Sequence, residues 1–344
     1  MNMRRTVLKA VLSTATATAL LITGNAIASE QYKIDVSLET GPNHIRNISI
    51  KRWADSLNAQ TDGRLKINIF EGASKFKGSA VPTALAQGTL DMGVPGTWHL
   101  TKFIPDFGIV FLPMFFGHDR HVSYKVMDGD IGKELIAETE KKLNVKILGR
   151  FIDIGGAITF MKTDPITGPE DYKGKRIRIA GSAAHARRYE ALGANAVKVS
   201  WPDVPQALQT GMVDGVMTAF ESVRSAKLWD SGLKYVYVDN HAFHQYVPMI
   251  NKDLWNSLPN DLQELMQTTW DSSVDPQREF TAQRDTDARL EAIKNGIVVT
   301  DATATELGKL RKTLMPIQPD VIKELRIDPS FADRAQAAIQ KASM

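Results

Sequence analysis

The chain has 344 residues, 43% hydrophobic and 24% charged with no biased tract, which excludes a disordered or fibrous protein and favours two globular domains over one. Three of the 42 basic residues and none of the 39 acidic ones fall in the first 28 positions, so the remainder is charge-balanced and nothing global points to nucleic acid or a membrane surface. There is no cysteine, which excludes disulfides, thiolate metal sites, a cysteine nucleophile and a lipidated N-terminal cysteine.

In chain order, Arg4, Arg5 and Lys9 precede a largely apolar run from Val7 to Ile22, and Ala26-Ile27-Ala28 follows as a small-x-small site. This reads as an export signal cut after Ala28, by either the general or the twin-arginine route. No later run is apolar enough to span a bilayer. Tyr32–Leu38 alternates as a strand, ends in Gly41-Pro42-Asn43, and gives way to helical spacing over Ile45–Leu57. A strand is predicted at Arg64–Phe70, a helix at Val81–Gln87 closed by Gly88, and a buried strand at Met92–Val94. The alternation implies an α/β architecture with mainly parallel pairing.

The pattern A-L-x-x-G-x-x-D occurs twice, at Ala84–Asp91 and at Ala207–Asp214. In both places it reads as a helix ended by a glycine and followed by a strand, so two similarly built lobes are expected. The strand Val145–Ile152 runs into Gly155-Gly156, where the chain is expected to cross between lobes. A return is expected near Tyr246–Asn251, and a helix from Leu262 to about Lys294 is long enough to bridge both lobes. The first lobe is assigned 29–152 plus about 243–285. The second takes 153–242 plus the C-terminal helices to 344.

No nucleophile elbow, zinc-protease helix, P-loop or dinucleotide glycine fingerprint is present. His118 with His121, and His241 with His244, have a spacing that suits a metal on one helical face. Neither pair has a third ligand in register, so solvent-facing or loop histidines are favoured over a metal. No carboxylate pair stands out as acid and base. The most informative segment is Lys173–Ser182. Ile177 and Ile179 alternate with Arg176 and Arg178, and Gly181 and Ser182 then lead into a helix over Ala183–Leu192, with Ser182 as its N-cap. An arginine at the carboxyl end of such a strand faces the crevice where open α/β sheets bind ligands, and its guanidinium can hold a carboxylate through paired hydrogen bonds. The alternative, two surface charges on an edge strand, stands level with it. Trp201, just after a strand at Ala194–Val199, reads as a ligand-packing or hinge residue. Thr218, at the end of the strand Val213–Met217, can hydrogen-bond a ligand. Phe220 can close over the ligand or belong to the core.

These residues, Glu170–Ile179, Ala191–Asn195 and Ala207–Gly215, together with Leu112–Phe116 and Ile250–Pro259, resemble the solute-binding subunit of tripartite ATP-independent periplasmic (TRAP) transporters. The resemblance covers essentially the whole chain after the signal. It implies a two-lobed, periplasmic-binding-protein-like α/β fold with a hinge, and a long helix bridging both lobes. It also implies a non-enzymatic protein without cofactor or metal, periplasmic, that passes a small organic anion to integral-membrane permease subunits. Arg178 matches the family's carboxylate-binding arginine and Trp201 a position usually aromatic. Glu39, Gly96 and His99 match first-lobe pocket positions. Two departures stand out. Gly155-Gly156-Ala157 lacks a second arginine common in relatives, and Val216-Met217-Thr218 puts a hydroxyl where an asparagine amide is usual. With Trp98, Trp201 and Phe220 as aromatics, a monocarboxylate with an apolar or aromatic body is expected ahead of a C4-dicarboxylate. A sugar acid or sulfonate is the alternative, with Glu39 or Glu221 accepting from a hydroxyl or amine. Outside the family, the rival is a secreted enzyme acting on a similar acid.

Overall fold

The computed structural model describes residues 31–344, so the export signal and its cut after Ala28 lie outside the described residues. Along the chain come β1 (Tyr32–Ser37), α1 (Ile45–Gln60), β2 (Leu65–Phe70), α2 (Val81–Ala86), β3 (Met92–Gly93) and α3 (Thr97–Leu100). Next are α4 (Arg120–Asp128), α5 (Asp130–Lys142), β4 (Val145–Ile147), β5 (Ile152–Met161), β6 (Arg176–Ile179) and α6 (Ala183–Ala191). They are followed by β7 (Asn195–Lys198), α7 (Val204–Gln209), β8 (Gly215–Thr218), α8 (Phe220–Ala226), β9 (Tyr235–Tyr246) and β10 (Met249–Asn251). The chain closes with α9 (Lys252–Ser257), α10 (Asn260–Lys294), β11 (Val298–Asp301), α11 (Ala304–Leu314), α12 (Gln318–Leu325) and α13 (Pro329–Ala342). None of the described helices is long and apolar enough to cross a membrane.

Two mixed sheets carry the architecture. The first has order β2-β1-β3-β10-β4 and the second β11-β9-β5-β8-β6-β7. The β1–β2, β1–β3, β6–β7 and β6–β8 pairs are parallel, as helix-connected strands require. The chain leaves the first sheet after Ile147, enters the second at Ile152, and returns between Tyr246 and Met249. The sequence suggested one strand over Val145–Ile152; the ladder instead breaks there and restarts in the other sheet. Within β5 the register slips between Asp153 and Gly155, and Gly155 sits at φ +112°, which a side chain would strain.

The repeated motif has a physical identity in three dimensions. Both copies begin with Val-Pro at the helix start, Val81-Pro82 and Val204-Pro205, where the proline needs no amide hydrogen. Gly88 and Gly211 then take left-handed backbone at φ +69° and +70°. The closing aspartates do the same work: Asp91 Oδ2 accepts from the Asp35 amide at 2.9 Å, and Asp214 Oδ2 from the Arg176 amide at 2.8 Å. Each copy thus ends a helix and ties the next strand position to its parallel neighbour.

Helix α10 spans 35 residues and packs on α1 and β5 at one end and on α8 at the other, so it contacts both lobes. Two features differ from the sequence reading. Val298–Asp301 forms β11, which adds a parallel edge strand beside β9. The C-terminal helices do not all side with the second sheet: α11 and α12 pack on α6, whereas α13 packs on α4 and α5, beside the first sheet.

Candidate functional site

A small cavity lies between the sheets. Its charged or hydrogen-bonding lining includes Glu39, His44, Arg178, Thr218, Ser222 and His244; Trp98, Trp201, Tyr246, Ile154 and Met217 supply the apolar surface. An apolar lining with a few convergent polar groups is the usual make-up of a small-molecule site.

Arg178 stands near the carboxyl end of β6, which is flanked by β8 and β7 and so is not an edge. Arg176, two residues earlier, is exposed and paired with Asp214 at 2.5 Å. Arg178 is 2% exposed, donates from Nε to the Val199 carbonyl at 2.9 Å, and lies 5.5 Å from the centre of the Trp201 ring. No described carboxylate forms an ion pair with it, and burial pushes its ionisation down to about 10, still fully protonated at neutral pH. One strand therefore carries both a surface arginine and a cavity arginine.

Glu39 follows β1 at the opposite wall and is 5% exposed. Its Oε2 accepts from the Gly78 amide at 3.0 Å, while Arg46 Nη1 stands 3.8 Å from Oε1. Burial alone would raise its pKa; the surrounding His99, Arg46 and Arg178 and the Gly78 amide bring it below the usual value. Gly78 has to be glycine, since a Cβ there would meet Glu39 Oε2 at 2.3 Å and His99 Cε1 at 2.4 Å. Gly96 is held for a similar reason, its Cβ position being 2.3 Å from the Trp98 ring. Trp98 Nε1 donates to His99 Nε2 at 3.0 Å, and the indole packs on His244 and Tyr246 at 4.9 and 5.5 Å.

Other expected residues sit elsewhere. Gly181 and Ser182 line an outer vestibule with His99, Lys102 and Lys198, separated from the cavity by Trp98, which faces both. Ser182 does cap α6, accepting from the Ala184 amide at 3.3 Å. Phe220 is in the second lobe's core, edge-on to Phe160 at 5.3 Å, and does not close over the cavity. Glu221 is fully buried and neutralised by Arg224 and by Arg284 at 2.8 Å, so it is a structural ion pair and not a ligand acceptor.

The sequence reading missed His44, Ser222, His244 and Tyr246. His44 caps α1: its Nδ1 accepts from the Arg46 amide, which leaves Nε2 to donate across the cleft to Ser222 Oγ at 3.1 Å. It follows the first strand as Trp201 follows the seventh, so the rule that pointed to one would have found the other. For His241 and His244 the sequence favours solvent-facing or loop positions. Both lie on β9 and are buried, 3% and 5% exposed. His244 Nε2 meets His185 Nε2 at 3.3 Å, and His241 pairs with Asp239, which Arg188 also contacts. The described residues contain no group of three or more His, Asp or Glu suited to a metal.

Five histidines, His44, His99, His185, His241 and His244, are thus buried, and burial holds each below its ordinary pKa, His99 at about 4 and His244 at about 3. The unfolded chain takes up these protons near pH 6.5 and the native chain only well below it. Their effect on stability is therefore favourable above about pH 6.5 and is lost as pH falls toward 4. Asp285 opposes them: burial, with Asp153 adding to it, raises its carboxyl to about 7, so its contribution is present at low pH and lost as pH rises through 7. Five rings outweigh Asp285 and the lesser upward shifts of Glu221, Asp106 and Glu138, and the melting temperature should fall steadily between pH 6.5 and 4.5 in calorimetry. A flat profile would contradict the neutral buried cluster.

Two sets of contacts tie the lobes together beside the cavity. Lys77, next to Gly78, reaches Asp203, two residues after Trp201, at 2.6 Å, and Arg284 joins Glu221 to the Asn43 carbonyl. The Lys77–Asp203 pair is half exposed, so Lys77→Met should weaken ligand binding by no more than about 1 kcal/mol. The effect should shrink as salt is raised in a titration series.

Comparison with known proteins bears on all of this. A family model described as bacterial extracellular solute-binding protein, family 7 (DctP), matches residues 36–324. The C4-dicarboxylate-binding periplasmic protein DctP of Rhodobacter capsulatus is 28% identical over 331 residues, covering 94% of this chain and 96% of that one. A TRAP periplasmic solute-binding protein from Ralstonia eutropha, solved with (S)-2-acetolactate, superposes with a TM-score of 0.83 at 25% identity, covering 90% of this chain and 99% of that one. The galactonate complex of a sugar-acid-binding protein from Advenella mimigardefordensis has a TM-score of 0.86 at 21% identity, over 91% and 99% of the two chains, and so shares the fold. Proteins of this family are non-enzymatic transport components, and this chain belongs to it: it is a TRAP periplasmic solute-binding protein of the DctP family.

Proposed function

We propose that this protein captures a small monocarboxylate with an apolar body in the periplasm and hands it to the integral-membrane subunits of its transporter. The observation that carries the reading is Arg178, a buried guanidinium in the cavity without a carboxylate partner. A buried cation of this kind is costly unless an anion completes it, and two parallel hydrogen bonds to a carboxylate do so. Trp201, Trp98, Tyr246, Ile154 and Met217 give the rest of the ligand an apolar bed. The relatives support the acid, since their named ligands are a C4-dicarboxylate, acetolactate and galactonate. A dicarboxylate fits this lining less well: the other cavity-side cation, Arg46, already faces Glu39 and donates to Thr40 and the Val94 carbonyl. Closure of the lobes over the ligand then presents the permease with a loaded form.

The test is a thermal-shift screen of the protein from Ser29 onward against monocarboxylates, dicarboxylates, sulfonates, sugar acids and neutral analogues. A ligand that binds only the folded state raises the midpoint by mass action. Stabilisation by monocarboxylates, with succinate shifting the midpoint far less, is the expected outcome. A response confined to neutral or cationic compounds would overturn the carboxylate reading.

A further inference from the structure

Of the cross-lobe contacts described above, one is buried and carries a titratable ring. His44 stands between β1 and α1 on the first lobe, and Ser222 lies in the first turn of α8 on the second. They are 1% and 2% exposed, both line the cavity, and His44 Nε2 meets Ser222 Oγ at 3.1 Å. Lys77–Asp203 and the bond from Arg284 to the Asn43 carbonyl lie nearer the solvent.

Local structure fixes the protonation of His44. The ring caps α1 by accepting the Arg46 amide on Nδ1 at 3.1 Å, so the neutral ring carries its hydrogen on Nε2, toward Ser222. A second proton would have to sit on Nδ1. There it would face the Arg46 N–H, donor against donor, and the cap would be lost. Nor is a counter-charge at hand. The charged and titratable groups around the ring are Arg46 on its own helix, Glu39 and Arg178 on the cavity walls, and Glu221 and Arg224 on α8. Arg284 and Asp285 of α10 and His244 and Tyr246 of β9 complete the set. The carboxyl groups are committed: Glu221 to Arg224 and Arg284, Glu39 to the Gly78 amide and neighbouring Arg46, Asp285 to the Glu221 amide and Arg120. Burial, Arg46 and Arg284 accordingly hold the ionisation of the ring well below its ordinary value.

We propose that His44 and Ser222 form a buried latch that joins the lobes only while the imidazole is neutral, so that capture of an acid below about pH 6.5 expels a proton from His44. With α8 swung away, the ring faces water and can hold the second proton. When the lobes meet over it, that proton has to leave, because an imidazolium there would be buried without a partner. The latch rests on the closure of the lobes and not on which acid the cavity takes.

Stopped-flow binding and calorimetric titration test this with 3-methylbutanoate, succinate and galactonate as probes, on the wild-type protein, His44→Asn and Ser222→Ala. Asparagine keeps an acceptor for the cap but neither reaches Ser222 nor titrates; alanine removes the far side of the latch and leaves the cap alone. For a probe that binds, each variant should raise the dissociation rate about three- to tenfold at pH 7.5 and change the association rate by less than about twofold. The double variant should be no faster than the faster single one. From pH 7.5 to 5.5 the dissociation constant should rise about tenfold more in the wild type than in His44→Asn. At pH 5.5 the wild type should also release close to one proton more, read from titrations in buffers of different ionisation enthalpy. Parallel pH profiles would overturn the proposal, since a purely structural cap would leave them parallel. Unchanged dissociation rates or additive effects in the double variant would do the same. If His44→Asn does not fold, an unchanged dissociation rate in Ser222→Ala overturns it alone. If succinate or galactonate binds and 3-methylbutanoate does not, the monocarboxylate reading falls and the latch is judged on the probe that binds; if none of the three binds, both fall.

Discussion

Replacing Arg178 by alanine should raise the dissociation constant for the ligand by roughly 30-fold to several thousand-fold, the equivalent of about 2–5 kcal/mol for truncating one partner of a buried, hydrogen-bonded charge pair. The fold should survive. The guanidinium donates one hydrogen bond, to the Val199 carbonyl, and forms no ion pair with a described carboxylate, so burial outweighs the favourable field of nearby Glu39. Removing it relieves that desolvation, so the unliganded melting temperature should hold or rise, most clearly for Arg178→Met, which keeps the stem packed against Trp201. Calorimetric titration gives the first quantity and scanning calorimetry the second. Affinity within threefold of wild type would remove Arg178 from the site.

The largest expected loss of stability lies behind the cavity. Asp239 is 2% exposed and held by Arg188 and by His241 at 2.9 Å. Its carboxyl is charged because these two neighbours outweigh the cost of burial. Among the described residues, Arg188→Leu leaves that carboxylate with a neutral imidazole, His241, as its remaining side-chain partner. Breaking a buried pair from one side costs about 3–5 kcal/mol, whereas replacing both partners by apolar groups is close to neutral. Arg188→Leu should therefore lower the denaturant midpoint strongly, and adding Asp239→Leu should restore most of it. The coupling between the two changes separates a true pair from two independent packing losses. Additive effects would mean that the two side chains do not act as a unit.

Most of the fold was legible because it rests on local signals. Alternation over Tyr32–Ser37 and helical spacing from Ile45 follow directly from which faces are buried. The repeated Gly88 and Gly211 betray a left-handed turn that few other residues accept. Arg178 and Trp201 were legible because both end a strand on the crevice side, and the cavity does contain both. What failed was non-local. Val298–Asp301 is a short, half-exposed run whose strand character comes only from lying beside β9. Phe220 and Glu221 follow β8 as a ligand loop would, yet α8 turns them toward Phe160 and Arg284, which lie 60 or more residues away in sequence. The histidines misled for the same reason. A histidine in an alternating strand looks polar and surface-bound until a second buried ring, His185 from α6, arrives to share a hydrogen bond with it.

The long helix α10 has a mechanical side. It runs as one rod past the place where the chain crosses between sheets, and Pro276 sits inside it. Proline cannot donate to the carbonyl four residues back, so the rod is softest at that turn. The next residue, Gln277, grips both the amide and the carbonyl of Asp153, at the start of the crossing strand β5. The compliant joint of the strut is therefore pinned beside the pivot of the strands. Any relative movement of the two sheets would thus bend the helix at the very turn where it is clamped to the crossing strand.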